Sequence, residues 1–213
     1  MEALKALKDL KDAGFIRFIG CSGYPISFIY ETCMEFKRRF GESLTGILSY
    51  SNGCLQNDSL FENGLITEKL YKECGLKIVS NGSILSMSML SQHSLGMKKF
   101  HPCQQIIRDM FDFKVNSPLN QKLLDILNKY NQVLPLLATK FSIIKNHEYN
   151  LLTVVGVSSL KEWNDCESVF KHTKDTGFAF TNEEESCVKE IDDLMVANGV
   201  KNLTGGSGYY NAL

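Results

Sequence analysis

The sequence has no excess of either charge. Against 23 lysines and arginines stand 24 aspartates and glutamates, a formal net charge of -1, so it carries no electrostatic footprint for nucleic acid or an anionic membrane. No apolar run approaches the ~18 residues that suggest a membrane span. The opening Met1-Glu2-Ala3-Leu4-Lys5 is charged and helical in period, unlike the basic region and apolar stretch of a signal peptide. Seven cysteines, at positions 21, 33, 54, 74, 103, 166 and 187, form no C-x-x-C pair and no tight ligand spacing, a pattern of reduced thiols in a reducing compartment. His101 and Cys103 make an H-x-C, but without neighbouring ligands it reads as a plain loop rather than zinc. Neither a G-x-G-x-x-G nor a Walker loop is present, so the usual phosphate fingerprints of open α/β sheets are missing. The expectation is a cytoplasmic protein with a small neutral partner, no nucleic acid and no membrane.

What the sequence does contain is a repeat. Its 213 residues, 44% hydrophobic and 22% charged, suffice for a substantial core. Leu4, Leu7 and Leu10 fall at helical spacing, and Gly14 is placed to stop that helix in a left-handed cap. A β-rich run over 15–21 follows and ends at Ser22-Gly23-Tyr24-Pro25. Ser27 is placed to cap an amphipathic helix through Ile29, Cys33 and Phe36 to Phe40. A second strand is expected over 46–50, then a helix over about 62–74, and a third strand over 76–81. Strand starts at Ile16, Gly46 and Leu76 are 30 residues apart, the period of a strand-helix unit in a parallel sheet. After a long excursion punctuated by His101-Pro102 and Ser117-Pro118, helices are expected near 119–130 and 134–145. A fourth strand is expected over 152–157, with helices near 161–171 and 183–198, the last with a capped start at Thr181-Asn182-Glu183-Glu184. The Gly205-Gly206-Ser207-Gly208 tail reads as mobile.

Four units are too few for a closed eight-stranded barrel, which takes about 250 residues. The order alone does not separate half a barrel from a small open sheet. In either, ligands sit at the carboxyl ends of strands. The exits here, Ser22-Gly23, Ser49-Tyr50-Ser51-Asn52, Ser80-Asn81-Gly82-Ser83 and Ser158-Ser159, are small and hydrogen-bonding. Hydroxyls, amides and free backbone N–H groups suit a carboxamide or a pyrophosphate. They are equally the residues that form turns.

Four blocks carry a resemblance. "LKDAGFIRFIGCSGYP" (10–25) looks like the helix-to-strand segment that introduces the fifth barrel strand of aldo-keto reductases. "ILSYSNGCLQNDSL" (47–60) and "GLKIVSNGSILSMSML" (75–90) resemble one subgroup of that family, the sugar dehydrogenases acting on D-arabinose or L-galactose. "TVVGVSSLKEW" (153–163) resembles the eighth strand and its cofactor loop. The likeness implies the C-terminal half of a (β/α)8 TIM barrel, with four parallel strands and crossover helices. It implies a partial domain over 1–200 and a flexible tail over 201–213.

By the same resemblance, Ser22 matches the serine that holds the nicotinamide carboxamide, although Gly23 replaces the usual asparagine beside it. Ser49 stands where many members have a glutamine to the same carboxamide. Gly82 replaces an aromatic ring that stacks on the nicotinamide. Ser83 and Leu85 match the serine and leucine that wrap the pyrophosphate, with Ile84 replacing the intervening proline. Gly156 and Ser158 match the stretch that reaches the adenosine phosphate, Glu162 stands where a glutamine is common, and Cys166 replaces an asparagine at adenine. The cofactor implied is NAD or NADP. A 2'-phosphate needs cations and Ser158 supplies none, which favours NAD, while Lys161 is near enough in sequence to serve NADP.

The family's catalytic tyrosine, lysine, aspartate and histidine come from the first half of its barrel and are not matched here. None of the eight tyrosines, Tyr50 being nearest a predicted site, and none of His93, His101, His147 and His172 falls in that motif. No catalytic residue is assigned. The implied activity is that of an NAD(P)-dependent aldose 1-dehydrogenase oxidising a sugar to its lactone, here as a fragment without the catalytic half. The alternative is a non-catalytic cofactor-binding or interaction module derived from such an enzyme. An aldose is the expected partner if the full barrel is present, with self-association through exposed sheet edges as a further expectation.

Overall fold

The computed structural model describes residues 1–91, 104–114 and 116–203. The residues divide into two compact units: 1–53, 58–82 and 145–155 in the first, and 54–57, 83–144 and 156–213 in the second. The Gly205–Gly208 stretch, Tyr209, Tyr210, His93, His101 and Cys103 lie outside the described residues.

The first unit is built on a four-stranded parallel sheet in the order β1-β2-β3-β4. Helix α1, Glu2–Asp12, turns Leu4 and Leu7 onto the core. It closes as expected at Gly14 (φ 81), where Gly14 N–H bonds Lys11 O and Phe15 N–H bonds Leu10 O, each at 3.0 Å. These are the two bonds of a Schellman cap, which needs a left-handed residue at that point.

Strand β1, Gly20–Gly23, is shorter and later than the expected 15–21. In its apolar lead-in Ile19 is buried and Ile16 packs on the core, while Phe15 is 79% and Phe18 67% exposed. A strand needs a backbone partner as well as β-prone side chains, and pairing begins only at Gly20↔Gly46. Helix α2, Ile26–Phe40, returns the chain. It buries Ile29, Cys33 and Phe36 along one stripe and starts after Pro25, which places Ser27 inside the first turn rather than at the cap.

Strand β2, Gly46–Tyr50, agrees with its expected span. The next helix, α3, Leu65–Glu73, is wound as a π-helix, with Lys69 N–H bonding Gly64 O and Cys74 N–H bonding Lys69 O. A helical period in sequence does not distinguish that winding from an α-helix over two turns. Strand β3 is Ile78–Gly82. Strand β4 is only Leu152–Thr153, paired to Ser80 and Asn81. Of the expected remainder, Val154 N–H still bonds Asn81 O at 2.9 Å, while 155–157 are exposed and outside the strand.

Alternation divides the sheet into two faces. Ile47 and Val79 pack on Ile29, Cys33 and Phe36 of α2 and on Ile66 and Leu70 of α3, forming the core. Burying a side chain of this size is worth about 1.5–3 kcal/mol. The residues one step out of phase, Gly20, Ser22, Leu48, Ile78, Ser80 and Leu152, form the other face. Ile78 there is 43% exposed and Leu152 58%.

The second unit is helical. It holds α4, Gln105–Phe111, α5, Pro118–Lys129, most of α6, Leu134–Glu148, α7, Leu160–Asp175, and α8, Asn182–Ala197. Ser117 caps α5, accepting from Asn120 N–H at 3.0 Å. Thr181 and Glu184 form the expected capping box on α8. Glu184 also receives Lys140 Nζ at 2.6 Å in a nearly buried ion pair. Gln56 donates to Val200 O at 2.8 Å and Leu203 O at 3.1 Å, while Asn202 N–H returns to Gln56 O at 3.0 Å.

Candidate functional site

At the carboxyl ends of the strands in the first unit, Ser22 and Ser49 stand one residue out of register, since Ser22 pairs with Leu48 and Gly23 with Ser49. Their side chains therefore leave opposite faces of the sheet. Ser22 is exposed. It belongs to a shallow concavity of about 450 Å³ on the open face, with Phe18, Gly20, Leu48, Ile78 and Ser80. Ser49 is fully buried on the helix-covered face.

Ser49 is flanked there by a polar side chain that the sequence offered only as one of the strand-exit residues. Asn81, its register partner on β3, donates Nδ2 to Gly53 O at 2.6 Å and to Asn146 Oδ1 at 3.0 Å. Asn146 in turn donates to Thr153 Oγ1 at 2.7 Å. Gly53 is required by this packing, because a Cβ there would stand 2.5 Å from Asn81 Nδ2. Among the described residues, Ser49 Oγ, Asn52 Oδ1 and Asn81 Oδ1 are buried without a hydrogen-bond partner. Unmet buried polar atoms of this kind cost about 1–3 kcal/mol each. The signal available in the sequence was the shared alternation of Ser49 and Asn81 with the core residues Ile47 and Val79. Gly82 is buried against Leu48, and a Cβ on it would come within 2.9 Å of Leu48 Cδ2, so no aromatic ring fits at that position with Leu48 as it stands.

In the second unit, Ser83 opens a tight turn. Ser83, Ser86, Met87 and Ser88 all have positive φ, between 47 and 70°. Non-glycine residues hold that conformation only where their surroundings impose it. Ser83 Oγ accepts from Met87 N–H at 3.0 Å, which leaves the hydroxyl proton to donate to a phosphate oxygen. Leu85 is partly buried and Ile84 buried. Farther along the same unit, Gly156 is exposed, and nothing lies within 4 Å of where its Cβ would be. Ser158 gives its N–H and its hydroxyl to Glu162 Oε2, at 2.6 and 2.9 Å. Lys161 is turned away to Asp165 at 2.6 Å. The beginning of α7 thus presents a carboxylate held on Ser158, with its neighbouring cation already paired. Cys166 is partly buried, and burial, with Asp165 and Glu162 nearby, pushes its thiol up.

Taken unit by unit, the first offers the exposed Ser22 hydroxyl on its open face, and the second offers the Ser83 hydroxyl, of a kind that suits a phosphate, and the Glu162 carboxylate, of a kind that suits a hydroxyl. Among the described residues no group of histidine, cysteine or carboxylate side chains is placed to hold a metal, and no helix is long and apolar enough to cross a membrane.

A model of the aldo/keto reductase family matches residues 1–179. D-arabinose 1-dehydrogenase of Saccharomyces cerevisiae is 34% identical over 196 residues, which cover 90% of this chain and 53% of that protein. The chain spans about half the length of the curated relative it matches. The four parallel strands and their crossover helices are those of a partial (β/α)8 barrel.

Proposed function

The chain belongs to the aldo/keto reductase family, and on that premise we propose that it forms the cofactor-holding part of an NAD-dependent aldose 1-dehydrogenase of the D-arabinose or L-galactose type. The observation that carries this reading is the 34% identity to a D-arabinose 1-dehydrogenase across 90% of the chain. When bound, the nicotinamide supplies the acceptor for hydride leaving the sugar. Ser22 orients the carboxamide from the open face, with Ser49 and Asn81 buried on the opposite face of the sheet. Ser83 donates to the pyrophosphate and Leu85 covers it, while Gly156 and Ser158 give backbone access to the adenosine side. Glu162 accepts from a ribose hydroxyl and repels a 2'-phosphate, which supports NAD over NADP, and the Lys161–Asp165 pair withdraws the nearest cation.

No tyrosine or histidine of this chain matches the family's proton-transfer groups, so its own residues bind and orient and do not move the sugar proton. General acid-base transfer typically contributes about 10²–10⁴-fold to rate. The test is to assay D-arabinose and L-galactose oxidation with the chain alone and with a first half-barrel of the family joined in frame. Turnover only after joining supports the reading. Turnover by the highly purified lone chain overturns the division of labour. NAD binding without turnover in the joined protein favours a non-catalytic cofactor module instead.

A further inference from the structure

Four asparagines are followed by glycine, at 52–53, 63–64, 81–82 and 198–199. Such a pair is reactive: with no Cβ on the glycine, its backbone nitrogen can close on the asparagine side-chain carbonyl and displace ammonia. The attack needs the backbone to rotate and both nitrogens to be unheld, so the fold decides which pair reacts. Three are locked. Asn81 is fully buried in β3 with its Nδ2 on Gly53 O and Asn146 Oδ1, and Gly82 pairs with Tyr50 in the ladder. Asn52 is 3% exposed, donates to Ser59 Oγ at 3.3 Å and accepts Leu60 N–H at 2.8 Å. Asn198 is exposed, but its Nδ2 donates to Leu194 O at 2.8 Å and the Gly199 nitrogen donates to Val196 O at 3.1 Å.

Asn63–Gly64 differs from all three. Leu65 N–H donates to Glu62 O at 2.9 Å, and Asn63 and Gly64 between them have φ of 51° and 66°. Left-handed values at both central residues make this a turn of type I′. A turn of that kind engages its first carbonyl and its last N–H, and leaves the nitrogen of the third residue, Gly64, unbonded. Among the described residues neither that N–H nor the Asn63 side-chain amide has a hydrogen-bond partner. Asn63 is exposed, in the turn that opens α3 on the crossover between β2 and β3.

We propose that Asn63 is a modification site at which the folded chain deamidates itself through a cyclic imide, giving aspartate and isoaspartate, the latter a methyl acceptor for an isoaspartyl carboxyl methyltransferase. The Gly64 nitrogen attacks Asn63 Cγ, the Cγ–Nδ2 bond breaks, and ammonia leaves carrying the Gly64 proton, which closes a five-membered ring. Water then opens the ring. Cleavage of the new bond between Gly64 nitrogen and Cγ leaves aspartate, whereas cleavage at the main-chain carbonyl leaves isoaspartate, with the chain running through Cβ and Cγ. One water is consumed and one ammonia released, with no change of oxidation state. The two products act oppositely on α3. Aspartate sets a carboxylate just before the helix N-terminus, where the helix dipole favours it. Isoaspartate adds a methylene to the turn, which breaks the Leu65–Glu62 bond and draws Gly64 O away from Glu68 N–H, now 2.8 Å from it. None of this depends on a bound cofactor.

The native chain is aged in mildly alkaline buffer beside a urea-unfolded sample, and both are digested with trypsin and sequenced by fragment mass. Peptide 40–69 carries Asn52 and Asn63, 78–98 carries Asn81, and 190–201 carries Asn198. In the native chain the amide-to-acid mass change should appear first at Asn63, about 10- to 100-fold faster than at Asn198, where two hydrogen bonds must open before reaction. The Asn63 rate should stay close to its unfolded value, while the two buried pairs react in urea and not in the native chain. Methyl transfer from labelled S-adenosylmethionine by a purified isoaspartyl methyltransferase should rise as the native chain ages. It should fall to background in Asn63→Gly, which keeps a left-handed residue in the turn and removes the amide. Conversion at Asn52, Asn81 or Asn198 ahead of Asn63 overturns the proposal. So does protection of Asn63 in the native chain by about 10-fold or more over the unfolded one, or undiminished methyl acceptance in Asn63→Gly.

Discussion

Lys140 and Glu184 offer a quantitative test of the second unit. Their charged atoms are 2.6 Å apart, with side chains 4% and 12% exposed, and Lys140 Nζ also lies 5.9 Å from the Phe180 ring centroid. At an effective dielectric near 20 the gross attraction is about 6 kcal/mol, most of which offsets the desolvation of two ions. The net worth of the pair is therefore small, but removing one partner strands the other. Lys140→Met keeps the stem's volume and deletes the charge, and it should cost about 3–5 kcal/mol. For a chain of this size that lowers the thermal midpoint by about 6–20 °C. Glu184→Gln retains an acceptor for Lys140 and for Thr181 N–H, preserving the capping box, and should cost less. The double variant should recover to within about 1–2 kcal/mol of the native protein, giving a large coupling energy. Urea unfolding followed by circular dichroism reads all four proteins. Acid titration adds a second readout. Burial pushes the Glu184 carboxyl up, but the bonds from Lys140 and Thr181 more than reverse this, so its pKa is lowered on folding. Its contribution is present above the ordinary value of about 4.3 and is lost as pH falls through the depressed one. In Lys140→Met only the Thr181 bonds still oppose burial, so the folded value rises from its depressed position and the stability lost on acidification shrinks. A Lys140→Met cost below about 1 kcal/mol, or a double variant as unstable as the single, would refute the reasoning.

Three further outcomes are expected. Glu162→Arg removes the carboxylate held on Ser158 and supplies a charge-assisted donor worth about 1.5–3 kcal/mol, so NADP should bind about 10- to 100-fold more tightly in calorimetric titration while NAD weakens; an unchanged NAD-to-NADP ratio counts against the adenosine-side assignment. Ser22→Ala should weaken NAD binding about 2- to 10-fold, the value of one hydrogen bond, with an unshifted melting temperature because Ser22 is exposed. The purified chain should self-associate through the outer strands β1 and β4 and the open face bearing Ile78 and Leu152; in sedimentation velocity Leu152→Lys should shift the distribution toward monomer, and a monodisperse native monomer defeats the idea.

The sequence made the strand-helix order legible because each crossover carries its own period. Ile29, Cys33 and Phe36 announce α2, and the spacing of Gly46 from the flanking strands announces a parallel repeat. The capping box at Thr181 and the left-handed stop at Gly14 were equally readable, since a cap is local chemistry. What was not legible was the extent of pairing. The apolar runs over 15–21 and 152–157 look alike on paper, yet only two residues of each, Gly20 and Cys21 in the first and Leu152 and Thr153 in the second, lie in a ladder. Strand propensity describes a side chain's fit to a pleated surface, whereas strand length is decided by the neighbour.

The same distinction governs the site. A resemblance aligns Ser22 and Ser49 with residues that meet one carboxamide, and a linear sequence says nothing against placing both hydroxyls on one side. The register separates them: Ser22 shares its phase with Leu48 and Ser80, and Ser49 with Ile47, Val79 and Asn81. Ile47 and Val79 are recognisable as core residues from composition alone, so their phase assigns Ser49 and Asn81 to the buried face before any coordinates are known. Two polar residues in phase with a core are an anomaly by that logic, because each must find a partner or remain costly. Asn81 Nδ2 finds Gly53 and Asn146, while Ser49 Oγ and Asn81 Oδ1 find none among the described residues. Polar parity with a hydrophobic stripe thus singles out Ser49 and Asn81 in the sequence, which the turn-forming character of the strand exits, shared with loops of every kind, does not.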